Sequence, residues 1–317
     1  MKPELPKKYL LFPHSRSRYY TLKRYAGVLI GLVLFPVYWC LAYFVRTPGL
    51  AFRVHCAAMG FKLLLSGRDF VQVYRLLVMP MDSFRYFEFD FHWNALKNLH
   101  GKRYLDVSSP RLFPLMAVNR KPGLVADLIN PDSKDLSRTI GLARSLGVSG
   151  RCRFHGCLID DAKFEKESFD VISCISVIEH IPEDCEAIRK MWELLKPGGT
   201  LLVSIPCARI ASEEYSNLNE YGVLSTDELG YVFWQRYYDD DLIKNRIYRF
   251  TGEPKSFAIY GERESGFYDR NVFRKRTDPL YPYWREPFMM GREYRYWGSI
   301  SELPGIGVIA LEFVKKL

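Results

Sequence analysis

Small and acidic side chains follow several predicted strands of this 317-residue chain, and one histidine stands beside a glutamate. Asp106 begins the run DVSSP, Asp127 comes 21 residues later, and Glu179 directly precedes His180. Carboxylates accept hydrogen bonds from ligand hydroxyls, small residues let a ligand approach the backbone, and histidine exchanges protons near neutral pH. These residue types predict a site that binds a polar ligand and moves a proton, provided that the fold brings them to one place.

Strands that alternate with helices would bring these residues together. Short apolar runs predict strands, and the spacing of apolar residues together with proline and glycine signals predicts helices. The predicted strands are 103–107, 123–128, 153–158, 169–175, 200–205 and 307–314, and the predicted helices are 132–146 and 182–195. This alternation predicts parallel strand–helix–strand units, in which ligands bind beyond the carboxyl ends of the strands.

The stretch 168–206, SFDVISCISVIEHIPEDCEAIRKMWELLKPGGTLLVSIP, carries a family resemblance. It resembles the second half of a class I, Rossmann-like S-adenosylmethionine-dependent methyltransferase of the type 11 methyltransferase-domain group. There an FD-x-I strand leads to an E-H-I turn, a helix, an L-K-P-G-G turn and the next strand. The resemblance extends over residues 103–206. It implies a doubly wound α/β fold with a seven-stranded, mostly parallel sheet, and S-adenosyl-L-methionine as the cofactor.

The resemblance assigns the loop after the first strand to the methionine end of the cofactor, with Asp106, Ser108 and Ser109 as binding residues. Relatives have D-x-G-x-G here, because glycine lets the backbone approach the ligand closely. This chain has Ser108 and Pro110 at the two glycine positions. Serine still offers a small side chain with a hydroxyl donor, and proline is suited to the first turn of a following helix.

Three further positions complete the predicted cofactor site. Asp127 is predicted to accept hydrogen bonds from ribose hydroxyls, with a helix cap or a solvated turn as the alternative; Asn130 and Asp132 are better placed for capping. Asp161 and Ala162 match the family's D-A pair, in which the acid binds the adenine amino group, and the adjacent Asp160 competes for that role. Ser176, just beyond the fourth strand, is expected near the sulfonium group.

His180 is the candidate catalytic residue. Methyl transfer to a hydroxyl needs in-line positioning and a base for the proton, and histidine has a suitable intrinsic pKa. The alternative is that His180 shapes its loop and hydrogen-bonds to backbone, since relatives with differing substrates share this histidine.

Two aromatic segments supply weaker candidates. Residues 84–91 (FRYFEFDF) are by default a strand or a cap, although segments in this position often cover the cofactor in class I enzymes. Residues 233–241 (FWQRYYDDD) mix aromatic and charged side chains, as acceptor-binding insertions do in this class. The weaker candidates for lid or acceptor contacts are Arg85, Tyr86, Glu88, Glu179, Arg236 and Tyr237.

The basic charge of the chain is concentrated at its start. Residues 1–80 hold twelve basic and two acidic side chains, whereas the rest of the chain holds 33 basic and 34 acidic ones. Residues 26–45 carry no charge and are long enough for a hydrocarbon core of ~30 Å. We therefore predict a basic, membrane-associating helical segment over 1–80, which includes an amphipathic stretch at 50–65, and a methyltransferase domain over 81–317.

The topology of this apolar run is left open by its charges. Both flanks are basic, so the positive-inside rule does not orient a single span. Pro36 interrupts the segment and favours a kink. We expect a re-entrant or in-plane anchor at the cytoplasmic face of a membrane rather than a full span, with a buried core helix as the alternative.

The predicted activity is methyl transfer, at oxygen, to a small or lipid-linked acceptor such as a saccharide, with an anionic membrane surface as a partner. A nucleic-acid methyltransferase is less favoured, because the basic charges flank an apolar run and no N-P-P-Y-type motif follows the fourth strand. The other alternative is a non-catalytic binding or scaffold protein that kept the fold. The cysteines show no zinc spacing, and no metal is expected.

Overall fold

The computed structural model describes residues 5–12, 20–67, 70–97, 103–219, 222, 224–278 and 280–316. The strands are Lys7–Leu10 (β1), Arg103–Val107 (β2), Val125–Ile129 (β3), Cys152–His155 (β4), Phe169–Ile175 (β5), Leu195–Cys207 (β6), Ser212–Ser216 (β7), Val232–Tyr237 (β8), Ser256–Glu262 (β9), Tyr294–Trp297 (β10) and Gly307–Val314 (β11). The helices are Tyr20–Phe44 (α1), Leu50–Leu65 (α2), Phe70–Val78 (α3), Arg85–Lys97 (α4), Leu112–Arg120 (α5), Ser133–Ser145 (α6), Asp184–Leu194 (α7), Asp240–Ile243 (α8), Arg249–Thr251 (α9), Phe267–Thr277 (α10) and Glu286–Glu293 (α11).

The main sheet has the order β10-β9-β11-β6-β5-β2-β3-β4. Strands β4, β3, β2, β5 and β6 pair in parallel, and β11 lies antiparallel between β6 and β9. The predicted mostly parallel α/β sheet with an antiparallel last strand is therefore confirmed. It has one strand more than predicted, because β10 adds antiparallel to β9.

Each face of the sheet is covered by its own apolar core. Side chains alternate along a strand, so Tyr104 of β2 belongs to one core whereas Leu105 and Val107 belong to the other. The chain builds β2, β3 and β4 towards one edge and then returns to place β5 beside β2. This reversal opens a crevice at the carboxyl ends of β2 and β5, where open α/β sheets bind ligands.

Residues 85–97 form helix α4, so the default prediction of a strand or cap over 84–91 is wrong. The aromatic residues of this segment pack on both sides of the helix. Phe89 contacts Phe52 of α2 and Phe113 of α5, while Phe87 stacks on Tyr260 of β9. Burial on several faces explains why the segment lacks the one-sided periodicity of a surface helix.

Segments before and after the predicted boundary at residue 80 share one core. Phe52 of α2 lies within 5.0 Å of the Phe89 ring and 4.9 Å of the Trp93 ring, both measured between centroids. Strand β1 joins a second, three-stranded sheet by pairing in parallel with β7, which pairs antiparallel with β8. The division into 1–80 and 81–317 stays a prediction.

Helix α1 includes one stretch, Tyr25–Phe44, that is long and apolar enough to cross a membrane, and 17% of its most apolar window is buried. One side of the helix packs against α3, α11 and residues 283–285. The other side exposes large apolar residues; these are Tyr25, Leu29, Ile30, Val33, Val37, Leu41, Tyr43 and Phe44.

Candidate functional site

A cavity of about 750 Å³ lies at the carboxyl ends of β2, β3, β4 and β5. This volume is typical of small-molecule sites. The loop that follows each of these four strands contributes to its wall; these loops supply 107–112, 130–135, 158–160 and 176–183. The sheet topology thus brings together segments that are up to 76 residues apart in the chain, as the strand–helix alternation predicts.

The loop after β2 has a backbone conformation that favours glycine. Ser108 has a φ of 52°, in the left-handed region. Its amide and its hydroxyl both donate to the Ile129 carbonyl, at 2.9 and 3.0 Å. Ser108, Ser109 and Pro110 line the cavity, and α5 begins at Leu112 rather than at the proline.

Asp106 lies beneath this loop and does not line the cavity. Its carboxylate accepts hydrogen bonds from the Ser173 hydroxyl at 2.5 Å and from the Ser109 amide at 3.2 Å. Burial raises the pKa of Asp106 to about 6, against the opposing effect of these donors. In this structure Asp106 holds the loop in place, and the serines form the wall.

The acid predicted for the ribose is not at the cavity. Asp127 lies in the middle of β3, buried, with Oδ1 2.9 Å from His155 Nε2 and Oδ2 3.6 Å from the Arg103 guanidinium. The strand continues for two residues beyond it, so Asn130 and Asp132 are the polar residues that reach the cavity. Asp132 also caps α6, accepting at Oδ1 from the amides of Lys134 and Asp135, as predicted.

After β4, as after β3, the acidic residue that lines the cavity is not the one predicted for the cofactor. Asp160 lines the cavity, whereas Asp161 is exposed outside it and Ala162 is buried in the core. Leu158 and Ile159 add an apolar surface to the same wall. Of the two adjacent aspartates, the structure therefore brings the competing candidate to the site. Sequence alone left this choice open, because the shape of the turn after the strand decides which of the two adjacent aspartates faces the cavity.

Ser176 lines the cavity at the end of β5 and also has a left-handed backbone, with a φ of 48°. Its hydroxyl donates to Glu88 Oε1 and accepts from Arg85 Nη1 at 2.6 Å. Glu88 is completely buried and also pairs with Arg85 and with the Ser204 hydroxyl. Arg85 reaches the cavity wall, while Glu88 lies behind it.

Glu179 and His180 form a short turn next to Ser176. His180 lines the cavity, and its Nδ1 hydrogen-bonds to the carbonyl of Trp234 on β8. A carbonyl only accepts, so Nδ1 carries a proton and Nε2 is the basic nitrogen of the neutral ring. Glu179 is buried with Oε1 4.0 Å from His180 Nε2, and burial raises its pKa to about 8.

Of the six weaker candidates, Arg85 lines the cavity, and the other five, among them Glu88 and Glu179, do not. Tyr86 is buried and accepts from Arg53 Nη1 at 2.8 Å. Arg236 is buried between Asp184, at 2.7 Å, and Glu213, at 2.9 Å, and Tyr237 hydrogen-bonds to Gln235 and Glu214. The polar atoms of Tyr86, Arg236 and Tyr237 thus hold the fold together, and their role as lid or acceptor residues stays a prediction.

Helix α3 forms the roof of the cavity, which the sequence did not indicate. One face of α3 lines the cavity with Gln72, Arg75 and Leu76, which have the spacing of adjacent turns of one helix face, and Met79 directly after the helix adds to it. The opposite face of α3 packs against α1, where a Cβ added to Gly31 would lie 2.7 Å from the Tyr74 hydroxyl. Helix α3 is therefore a wall shared by the cavity and the apolar helix. The sequence of 70–79 is short and did not indicate which parts of the protein this helix would contact.

Comparisons with known proteins agree with this architecture. A family model described as a methyltransferase domain matches residues 128–249. A ubiquinone biosynthesis O-methyltransferase of Xanthomonas campestris pv. campestris (strain B100) is 33% identical over 107 residues, which is 33% of this chain and 44% of that protein. A ubiquinone/menaquinone biosynthesis C-methyltransferase of Azotobacter vinelandii is 30% identical over 105 residues, which is 32% of this chain and 42% of that protein. The chain thus matches less than half the length of either relative.

Among solved structures, the fold is similar to a geranyl diphosphate C-methyltransferase of Streptomyces coelicolor A3(2), with a TM-score of 0.47 and 12% identity over 77% of this chain and 78% of that one.

The strand order and the cavity at the carboxyl edge describe a doubly wound α/β domain, and residues 128–249 of this domain match a methyltransferase-domain model.

Proposed function

We propose that this protein transfers a methyl group to an oxygen of a small or lipid-linked acceptor at the cytoplasmic face of a membrane. The observation that carries the proposal is the shared wall α3, whose one face lines the cavity and whose other face packs against the apolar helix α1. An enzyme anchored beside its acceptor gains effective concentration, because both are confined to one surface.

The cavity suits the cofactor in shape and in polarity. Ser108 has a left-handed backbone, a conformation that favours glycine, so the loop after β2 leaves room for the methionine end. We assign Asp132 and Asn130 to the ribose, in place of Asp127. Asp160 and the apolar Leu158 and Ile159 would hold the adenine, and Ser108, Ser109 and Ser176 would line the methionine end. When bound, S-adenosyl-L-methionine supplies an electrophilic methyl group.

His180 would remove the proton of the acceptor hydroxyl. The Trp234 carbonyl holds the ring as the Nδ1–H tautomer, so Nε2 is the nitrogen that takes the proton as the oxygen–methyl bond forms. Glu179, kept protonated by burial, adds no negative charge beside the ring at neutral pH. The imidazolium then returns its proton to solvent, which completes the cycle.

We infer an in-plane anchor for α1 because both of its flanks dock on the same domain. Before α1, residues 7–10 pair with β7; after it, Thr47 donates to the Pro287 carbonyl at 2.6 Å. A helix of 25 residues is about 37 Å long, and a spanning orientation would separate these flanks by the whole membrane. The exposed apolar side of α1 supports insertion from one face, together with Phe61, Leu64, Leu65, Phe70 and Val71, which are exposed on α2 and α3.

Two measurements test the proposed function. Calorimetric titration with S-adenosyl-L-methionine is expected to show binding, and absence of binding at millimolar ligand would favour the scaffold alternative. Mass spectrometry of membrane extracts from cells with and without the protein is expected to show a product heavier by one methylene. Methylation found only in RNA or DNA would favour the nucleic-acid alternative.

A further inference from the structure

Three arginines line the part of the cavity between the roof and the helices that follow β2 and β3. They are Arg75 on α3, Arg111 at the start of α5 and Arg138 on α6. The positive charges of Arg138 and Arg75 lower the pKa of the Arg111 guanidinium, in addition to the larger effect of burial. Arg75 and Arg138 thus lie within electrostatic reach of Arg111, and all three side chains line the same cavity.

The nearby carboxylates act on Arg111. It pairs with Asp135, and the negative charge of Asp132, the cap of α6, opposes the lowering of its pKa. The guanidinium groups of Arg75 and Arg138 form no hydrogen bond or ion pair with any residue in the part of the chain that the structure describes. Arg111 Nε is buried and also lacks a partner among the described residues. Arg75 and Arg138 are exposed, so water solvates them when the cavity is empty, and an anion in the cavity would meet two guanidinium groups that have no partner among those residues and the unpaired Nε of a third.

We propose that Arg75, Arg111 and Arg138 form a subsite for a phosphate or diphosphate group of the acceptor. This inference rests on the proposed function and narrows its acceptor to a phosphate-bearing molecule. Guanidinium groups match phosphate oxygens with paired hydrogen bonds, which suits them to this anion better than to a neutral saccharide.

The position of Arg75 relates this subsite to the membrane surface. Helix α3 begins with Phe70 and Val71, which are exposed, and Arg75 follows one turn later on the side of the cavity. The phosphate of a lipid-linked acceptor, at the level of the lipid headgroups, would therefore contact the arginines. The apolar chain of that acceptor would contact the exposed residues of α2 and α3. The same chemistry would also accept a soluble phosphate ester.

The test uses the full chain and inorganic pyrophosphate as the probe. Titration calorimetry should show pyrophosphate binding to the wild type, and the double variant Arg75→Gln, Arg138→Gln should weaken it by about tenfold or more. Arg144→Gln is the matched control, because Arg144 is an exposed arginine on the same helix as Arg138 and does not line the cavity. Affinity for S-adenosylhomocysteine should be unchanged in all variants.

Two results would overturn the subsite. Equal pyrophosphate binding by the double variant and the wild type would show that the arginines do not hold the anion. A parallel loss of S-adenosylhomocysteine binding would show that they hold the cofactor carboxylate instead. If the wild type binds pyrophosphate but no cofactor, the subsite stands and the proposed function fails.

A second arm distinguishes the two sources of phosphate. Wild-type protein is bound to phosphatidylcholine vesicles with and without phosphatidic acid, and soluble pyrophosphate is then added. If pyrophosphate displaces the additional protein that binds when the vesicles contain phosphatidic acid, the subsite is assigned to a lipid phosphate. If pyrophosphate leaves vesicle binding unchanged, the subsite is assigned to a soluble phosphate ester.

Discussion

Ser108 and Asp127 show how far single residues could be assigned from sequence. The serine stands where the family pattern expects glycine, and its backbone is left-handed, a conformation that favours glycine, so the position of the loop was predictable from that pattern. Asp127 has the expected spacing from Asp106 but lies two residues before the end of β3. Which residue of a strand reaches the ligand depends on where the strand ends, and sequence periodicity does not fix that to one residue.

Replacement of His180 tests its assignment as the base. His180→Ala should lower kcat by about 10²–10⁴-fold, because proton removal from the acceptor loses its positioned base. The affinity for S-adenosylhomocysteine, measured by calorimetry, should stay within about twofold. His155→Ala is the control, since His155 contacts Asp127 and does not line the cavity. Unchanged turnover in His180→Ala would contradict the role of a base and favour the alternative, in which His180 shapes its loop.

Glu179 should make stability depend on pH. Its folded pKa is about 8, whereas a glutamate in an unfolded chain has a pKa of about 4.3. Between these values the folded state binds more protons than the unfolded state, so the free energy of unfolding falls as pH rises through this window. Urea denaturation from pH 5 to about pH 9 should show this fall, and Glu179→Gln should reduce it.

The control for this titration is Glu165→Gln, because Glu165 is an exposed carboxyl in the loop before β5. This variant should keep the pH dependence of the wild type. The same slope in the wild type and in Glu179→Gln would contradict the raised pKa.

At the scale of elements, the alternation of strands and helices from β2 to β6 was predictable, because each strand is a buried apolar run bounded by turn signals. The roof of the cavity, formed by α3, and the three-stranded sheet were not predictable. Helix α3 contacts the cavity on one face and α1 on the other, and β1 pairs with a strand about 200 residues away. Such long-range packing leaves no local pattern that would identify it.

The packing of α1 on α3 can be tested by overpacking Gly31. Gly31→Leu should destabilise the protein by about 1–3 kcal/mol, since an added Cβ would already lie 2.7 Å from the Tyr74 hydroxyl and 3.1 Å from the Trp284 ring. Gly27→Leu is a matched control four residues earlier on the same helix. There the nearest atom, on Leu280, would be 3.9 Å from the added Cβ, so its stability should change by less than ~0.5 kcal/mol. Urea denaturation measures both, and equal stabilities would argue against this contact.

At the scale of the whole molecule, the proposed in-plane anchor would place both ends of the chain on one side of the membrane. Epitope tags at the two termini should be digested from the same side in sealed vesicles, and protected together in vesicles of the opposite orientation. The physical reason is that β1 and the segment after α1 contact one folded domain. Digestion of the two tags from opposite sides would show a spanning helix instead.

The shared wall α3 has a consequence for the kinetics of an enzyme that works on a lipid-linked acceptor. Such an acceptor stays in the leaflet beside α1 and reaches the cavity by lateral movement under Arg75. The quantity that governs its capture is then its mole fraction in the surface, not its concentration in the bulk solution. Adding neutral lipid to a fixed amount of enzyme and acceptor dilutes that surface, and with it the rate, although nothing in the solution has changed.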